Sequence, residues 1–88
     1  MKILYNRKLD SNGWREIKTF EYSAILQYFD KPSNYGIDNG RISRLWIKKM
    51  TKPQEKILAY ERDWDKQLSE NASREAKDLY DFIIKKYN

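Results

Sequence analysis

Cysteine and histidine are both absent from this 88-residue sequence. Without cysteine the chain has no disulfide, no thiolate nucleophile and no cysteine-ligated zinc, and its composition suits a reducing compartment. Without histidine it lacks the usual general base near neutral pH and the commonest metal ligand. We therefore expect a protein that is not an enzyme and that needs neither a cofactor nor a metal ion.

Long apolar runs are missing as well. No stretch approaches the roughly 18 residues that a membrane-spanning helix needs. The segment 1–6 (MKILYN) is too short, and too soon polar, for a signal peptide. These absences predict a cytoplasmic protein with no membrane partner. The length predicts a single domain over 1–88, and the aromatic content of 15 % is too high for a disordered chain.

The excess positive charge is concentrated in one segment. The net charge is +5, and residues 41–56 carry six basic side chains against the single acidic Glu55. The segments before and after it are nearly neutral. Such a local field attracts anions, so we expect an acidic protein surface or a nucleic acid as the partner.

Alternating apolar and polar residues predict strands. The pattern gives strands at about 2–9, 15–29, 41–50 and 56–62, with 11–13 (SNG) as the turn of a first hairpin. The segment 15–29 is long for one strand, so a bend or bulge near Ser23 or Ala24 is expected. A helix over 21–29 is the competing interpretation.

The last part of the chain has a different period. Apolar residues recur at helical spacing over 71–87, with Glu75 near the start and Lys85 and Lys86 in the last turn, as suits the helix dipole. The apolar stripe of this helix must be buried against another element, and one apolar face of the sheet must be covered. The sequence therefore predicts an α+β fold in which a four-stranded antiparallel meander packs on one C-terminal helix.

The third predicted strand carries the candidate binding surface. If Leu45 and Ile47 face the helix, alternation places Arg44, Trp46 and Lys48 together on the open face. An aromatic side chain between two cations can stack on a base or fill a protein pocket. The alternative is a solvated strand face on which the indole packs against cationic stems. The predicted partner-binding set is Arg41, Arg44, Trp46, Lys48, Lys49 and Lys52.

The glycine-containing loop before this strand is a second candidate. Its Tyr35-Gly36 and Asp38-Asn39-Gly40 could present backbone amides to an anion, but the spacing is not that of a phosphate-binding P-loop and no helix follows. A structural role is the favoured interpretation, with Asp38 bonded to nearby amides or Arg41 paired with Asp65. The predicted loop and ion-pair site comprises Tyr35, Asp38, Arg62 and Asp65.

Three carboxylates, on Glu61, Asp63 and Asp65, are spaced by two residues. On a continuing strand they would point the same way and could hold Mg²⁺ for a nuclease. The competing interpretation is solvated turn aspartates with an ion pair to a nearby arginine. Since no histidine supports the cluster, we expect no catalytic residue and no metal here.

The residues around the basic segment resemble a family. The pattern is Tyr-Gly-Ile-Asp-x-Gly-Arg-Ile-Ser-x-Leu-x-Ile over 35–47, followed by Tyr-Glu-Arg-x-Trp-Asp over 60–65. It is similar to small uncharacterised proteins of phages and mobile elements of Gram-positive bacteria. Similar sequences tend to carry glycine where this chain has Asp63. The resemblance covers residues 33–66 well and the flanks loosely.

The resemblance implies a binding function and brings no known catalytic chemistry. Such small proteins often inhibit host systems, so we expect a phage or mobile-element accessory protein that binds a host protein or ribonucleoprotein and inhibits a defence system, as anti-CRISPR proteins do. Direct nucleic-acid binding through the basic strand face is the alternative, and a Mg²⁺-dependent nuclease is the third. An open sheet edge could also pair two copies into a homodimer.

Overall fold

A six-stranded antiparallel sheet covered on one face by a single helix forms the structure, a computed structural model that describes residues 1–88. The strands lie side by side in chain order. The α+β meander is as predicted, but the four-strand count is wrong. The elements are β1 (Ile3–Lys8), β2 (Trp14–Thr19), β3 (Tyr22–Tyr28), β4 (Ile42–Lys49), β5 (Glu55–Glu61), β6 (Trp64–Lys66) and α1 (Arg74–Tyr87).

The predicted strand 15–29 is in fact two strands. The chain reverses at Phe20 and Glu21, so that Lys18 pairs with Ser23 and Ile17 with Ala24. None of the residues that usually mark a turn lies there. Instead the hydroxyl of Thr19 accepts a hydrogen bond from the backbone N–H of Tyr22 (3.1 Å), which supports the reversal with a side chain. Neither a bend in one strand nor a helix over 21–29 is present.

The sixth strand follows a second turn, at Arg62 and Asp63. Arg62 adopts a left-handed backbone conformation with φ of 62°, which is uncommon for a residue with a side chain. The Asp63 carboxylate accepts a hydrogen bond from the N–H of Trp64 (2.8 Å). The chain therefore folds back, and Tyr60 pairs with Trp64. What the pattern predicts as a strand end is the hairpin that joins β5 to β6.

The core lies between the sheet and α1. Leu45 and Ile47 are fully buried there, as alternation predicts, and they pack with Leu79 and Ile83 of the helix. The helix begins at Arg74, three residues after the predicted start at 71, because Ser73 caps it by accepting a hydrogen bond from the N–H of Ala76 (3.1 Å). The helix bears the predicted acidic residue near its start and lysines near its end. No helical segment combines the length and the apolar character that crossing a bilayer requires.

The geometry of the loop before β4 explains why it contains the two glycines Gly36 and Gly40. Asp38 and Asn39 take positive φ, whereas Gly36 and Gly40 do not. The glycines are needed for close approach instead, since a Cβ on Gly36 would overlap the carbonyl oxygen of Gly40. The side chain of Asn88 closes the loop: its amide donates to the carbonyl of Ile37 (3.0 Å), and its oxygen accepts from the N–H of residue 42 (3.0 Å).

Candidate interaction surface on the open face of the sheet

The face of the sheet away from α1 carries a row of lysines at one end. Pairing places Lys18 of β2 opposite Ser23, Ser23 opposite Lys48, and Lys48 opposite Lys56. We call Lys18, Lys48 and Lys56 the lysine row. Its ammonium groups take part in none of the three salt bridges of the structure, although that of Lys18 donates to the carbonyl of Thr19 (2.6 Å). Three cations thus lie at one end of the open face without a carboxylate partner.

A half-buried apolar strip lies beside the lysine row. Ile25 of β3 pairs with Trp46 of β4, which in turn pairs with the buried Ala59 of β5. The indole of Trp46 lies parallel to that of Trp14 across β3, with 5.9 Å between ring centroids and 2° between ring planes. Ile25 remains 36 % exposed. The strip is therefore ordered by ring packing and still reaches solvent.

Two arginines of the open face, unlike the lysine row, have carboxylate partners. Arg7 of β1 forms an ion pair with Glu16 of β2 at 2.6 Å. Arg44 donates to the side-chain oxygen of Gln27 (2.6 Å) and lies 3.8 Å from the carboxylate of Glu61. The positive charge of Arg7 and Arg44 is thus partly neutralised, whereas that of the lysine row is not.

A comparison with protein families gives one match. The family model described as a domain of unknown function (DUF7678) covers residues 11–88. The chain belongs to this family. No curated protein and no solved structure matches it. The expectation of a family of uncharacterised proteins is thereby confirmed. The matched part of this DUF7678 chain begins after β1 and includes the whole lysine row.

The predicted partner-binding set is divided between two faces of the DUF7678 domain. Arg44, Trp46 and Lys48 do emerge together on the open face. Arg41 instead lies over the ring of Tyr28, 5.5 Å from its centroid, and that ring contacts Tyr87 of the helix. A β-bulge separates them, because residue 43 has no partner between the pairs 27–44 and 28–42.

Two further lysines of that set lie at the end of β4. Lys49 lines a cavity beside the start of α1 together with Tyr22, away from the open face. Lys52 is exposed in the turn between β4 and β5. Two members of the lysine row, Lys18 and Lys56, lie outside the predicted set. Lys56 could be found from the charge count of its segment, but Lys18 joins the row only through the unannounced turn at 20–21.

The predicted loop and ion-pair site is only partly assembled. The guanidinium of Arg62 lies over the ring of Tyr35, 4.0 Å from its centroid. Asp38 and Asp65 form no salt bridge, so the predicted pairing of an aspartate with Arg41 is wrong. Asp38 acts at longer range. Burial raises the pKa of Tyr80, and the negative charge of Asp38 adds to that increase.

The three carboxylates at 61, 63 and 65 do not converge. Glu61 ends β5, Asp63 lies in the turn and Asp65 belongs to β6, so the period-two argument fails where the chain reverses. The Asp63 oxygen is engaged by the N–H of Trp64. No group of three acidic side chains in the structure could hold a metal ion.

Proposed function

We propose that this protein is a non-enzymatic binding domain whose open sheet face docks on an acidic macromolecular surface. The lysine row is the observation that carries the proposal. Neighbouring strands lie only about 4.8 Å apart, and like charges placed opposite each other destabilise a sheet. Lys48 and Lys56 are directly opposite each other. This opposed pair of lysines slightly destabilises the sheet. A partner that supplies the missing negative charge would account for its presence.

The apolar strip next to the row gives this surface a second component. Trp46 and Ile25 offer rigid apolar area to a partner, and tryptophan is among the residues that most often dominate binding energy. The lysines would steer the encounter and set its salt dependence, whereas the strip would slow dissociation. A protein partner with acidic residues around an apolar patch fits both components.

The biological role that we propose is inhibition of a host defence system by a phage or mobile-element protein. Its support is the resemblance over 35–47 and 60–65, together with the small size of the domain. The partner would be a cytoplasmic host protein or ribonucleoprotein whose acidic surface is occupied by the open face.

Direct nucleic-acid binding is the second candidate, and the lysine row also favours it. Three cations without carboxylate partners could contact up to three phosphates. The apolar strip argues for protein instead, because the Trp14 ring already stacks with Trp46 and limits base stacking there. If nucleic acid is the partner, the logarithm of the binding constant for a single-stranded oligonucleotide should fall with the logarithm of salt concentration with a slope of about −2.

Charge reversal of the lysine row tests the proposal. The variant Lys18→Glu/Lys48→Glu/Lys56→Glu should lose a partner that the wild-type protein retains from host lysate, with its thermal unfolding midpoint unchanged or raised. A matched control, Lys2→Glu/Lys31→Glu/Lys85→Glu, changes the net charge equally at exposed positions outside the open face and should retain the partner. Equal capture by both variants would contradict the proposal.

Fluorescence anisotropy with labelled oligonucleotides separates the two candidates. If no complex forms at about 50 mM salt, where phosphate contacts are strongest, nucleic acid is excluded as the direct partner. If a complex forms, the lysine-row variant must lose it and the control variant must keep it for the second candidate to stand.

A further inference from the structure

One buried side-chain polar atom in the molecule has no hydrogen-bond partner. It is the hydroxyl oxygen of Ser43, a residue that is only 4 % exposed. Buried hydroxyl groups are nearly always paired, so an unpaired one needs an explanation. Ser43 is also the extra residue of the bulge in β4, and its carbonyl accepts a hydrogen bond from the N–H of Arg62 (2.8 Å). Bulges often re-aim side chains next to functional sites.

Ser43 lines a small cavity at the margin of the open face. The cavity has a volume of about 220 Å³. Pockets for drug-sized ligands measure about 300–1,000 Å³, so this one suits a smaller guest. No acidic side chain is among its lining residues, which are Phe29, Ser33, Tyr35, Ser43, Arg44 and Arg62.

The two arginines give the cavity its charge. Arg62 forms no salt bridge, and its guanidinium is held flat over the Tyr35 ring. Stacking fixes the plane of the guanidinium and leaves its N–H groups free to donate. Arg44 contributes less, because Gln27 and Glu61 already engage it.

The hydroxyl groups add neutral donors to these cations. The oxygen of Ser33 accepts from the N–H of Tyr35 (3.1 Å), and its own hydrogen remains available. The unpaired hydroxyl of Ser43 offers a second hydrogen. The lining therefore combines cationic and neutral donors, and none of its residues is acidic.

We infer that this cavity binds a small oxyanion, with phosphate as the ligand class. Arginine matches the geometry of phosphate oxygens, which accept several hydrogen bonds at once. The ligand would neutralise Arg62 and would supply the partner that the Ser43 hydroxyl lacks. The site is separate from the lysine row, because Ser43 and Arg62 belong to neither that row nor the apolar strip. The inference therefore does not depend on the proposed function.

Titration with inorganic phosphate, followed by amide chemical shifts at constant ionic strength, tests the inference. Saturable shifts are expected at the amides of Ser43, Arg44 and Arg62. The Arg62→Gln variant should abolish them, and Ser43→Ala should weaken affinity by about tenfold, the cost of one hydrogen bond to a charged group. The control Arg41→Gln removes a cation on the other face and should bind phosphate as the wild type does.

Ser43→Ala also gives a second readout. Because it removes an unpaired buried hydroxyl, it should raise the unfolding midpoint of the phosphate-free protein while it weakens binding. Phosphoserine in place of inorganic phosphate distinguishes the two sources of the anion, since tighter binding would indicate a phosphoryl group on a larger molecule. Shifts that do not saturate, or that persist in Arg62→Gln, would overturn the inference.

Discussion

The two faces of the sheet are formed by the same strands but differ in burial and in the pairing of their polar groups. On the helix side lies the buried core, and polar groups are paired at its margin, as in the contacts of Tyr22 with Ser73 (2.7 Å) and of Asn6 with Tyr87 (2.8 Å). On the open side, lysines lack carboxylate partners and the apolar residues are half exposed. Alternate residues of one strand therefore lie in the core and on the open face, and substitutions on the two faces should have different effects.

Truncation on each face should give the largest contrast. Leu79→Ala removes a fully buried side chain between helix and sheet and should lower the free energy of unfolding by about 3 kcal/mol. Ile25→Ala on the open face should cost less than about 1 kcal/mol, since Ile25 is already 36 % exposed. Urea denaturation of both variants measures the difference. Equal costs would mean that the open face also contributes a core.

Tyr60 should give an intermediate effect that depends on pH. Its hydroxyl donates to the carbonyl of Tyr35 (2.8 Å), so Tyr60→Phe should cost about 1 kcal/mol near neutral pH. Burial raises the pKa of Tyr60 above its usual 10.0, with further increases from the charges of Asp63 and Asp38.

The sign of the pH dependence follows from that raised pKa. As pH passes 10.0, the unfolded chain loses the phenolic proton before the folded chain does, so the wild type loses stability as pH rises further. The stability advantage of the wild type over Tyr60→Phe should therefore shrink above that pH. Urea denaturation at neutral and alkaline pH checks this, and a constant or growing advantage would contradict it.

The ring pair on the open face should give the smallest effect. In a double-mutant cycle of Trp14→Ala and Trp46→Ala, the coupling free energy should be about 0.5–1 kcal/mol, as for other aromatic pairs. Urea denaturation of the wild type, both single variants and the double variant supplies the cycle. A coupling of zero would mean that the two indoles contribute independently and that the apolar strip is not ordered by their contact.

Local alternation was enough to predict which residues of β4 face the helix. Leu45 and Ile47 are buried, and Arg44, Trp46 and Lys48 lie on the other side. The period-two rule works there because β4 is continuous between its bulges and is covered on one face only. The rule fails over the predicted strand 15–29, where Phe20 is 78 % exposed at a hairpin tip.

The errors arose at two reversals of the backbone. The reversal at 20–21 depends on the hydroxyl of Thr19, and that at 62–63 depends on an arginine with positive φ. The hydroxyl of Thr19 also donates to Glu75 of the helix (3.2 Å), and the N–H of Arg62 donates to the carbonyl of Ser43 (2.8 Å). Because these contacts join distant parts of the chain, sequence pattern alone did not reveal the two reversals. The same turns bring Lys18 into the lysine row and Arg62 against Tyr35, and for this reason the surface was predicted only in part.

The reversal at 20–21 has a practical consequence for experiments. The Phe20 ring protrudes from a tip whose shape is fixed by Thr19, and the tip lies beside Met50, since the N–H of Met50 donates to the carbonyl of Glu21 (2.7 Å). Because the chain has no thiol of its own, Phe20→Cys would create a unique attachment point for a fluorophore. A dye there would report on events at the lysine end of the sheet while leaving the interior untouched.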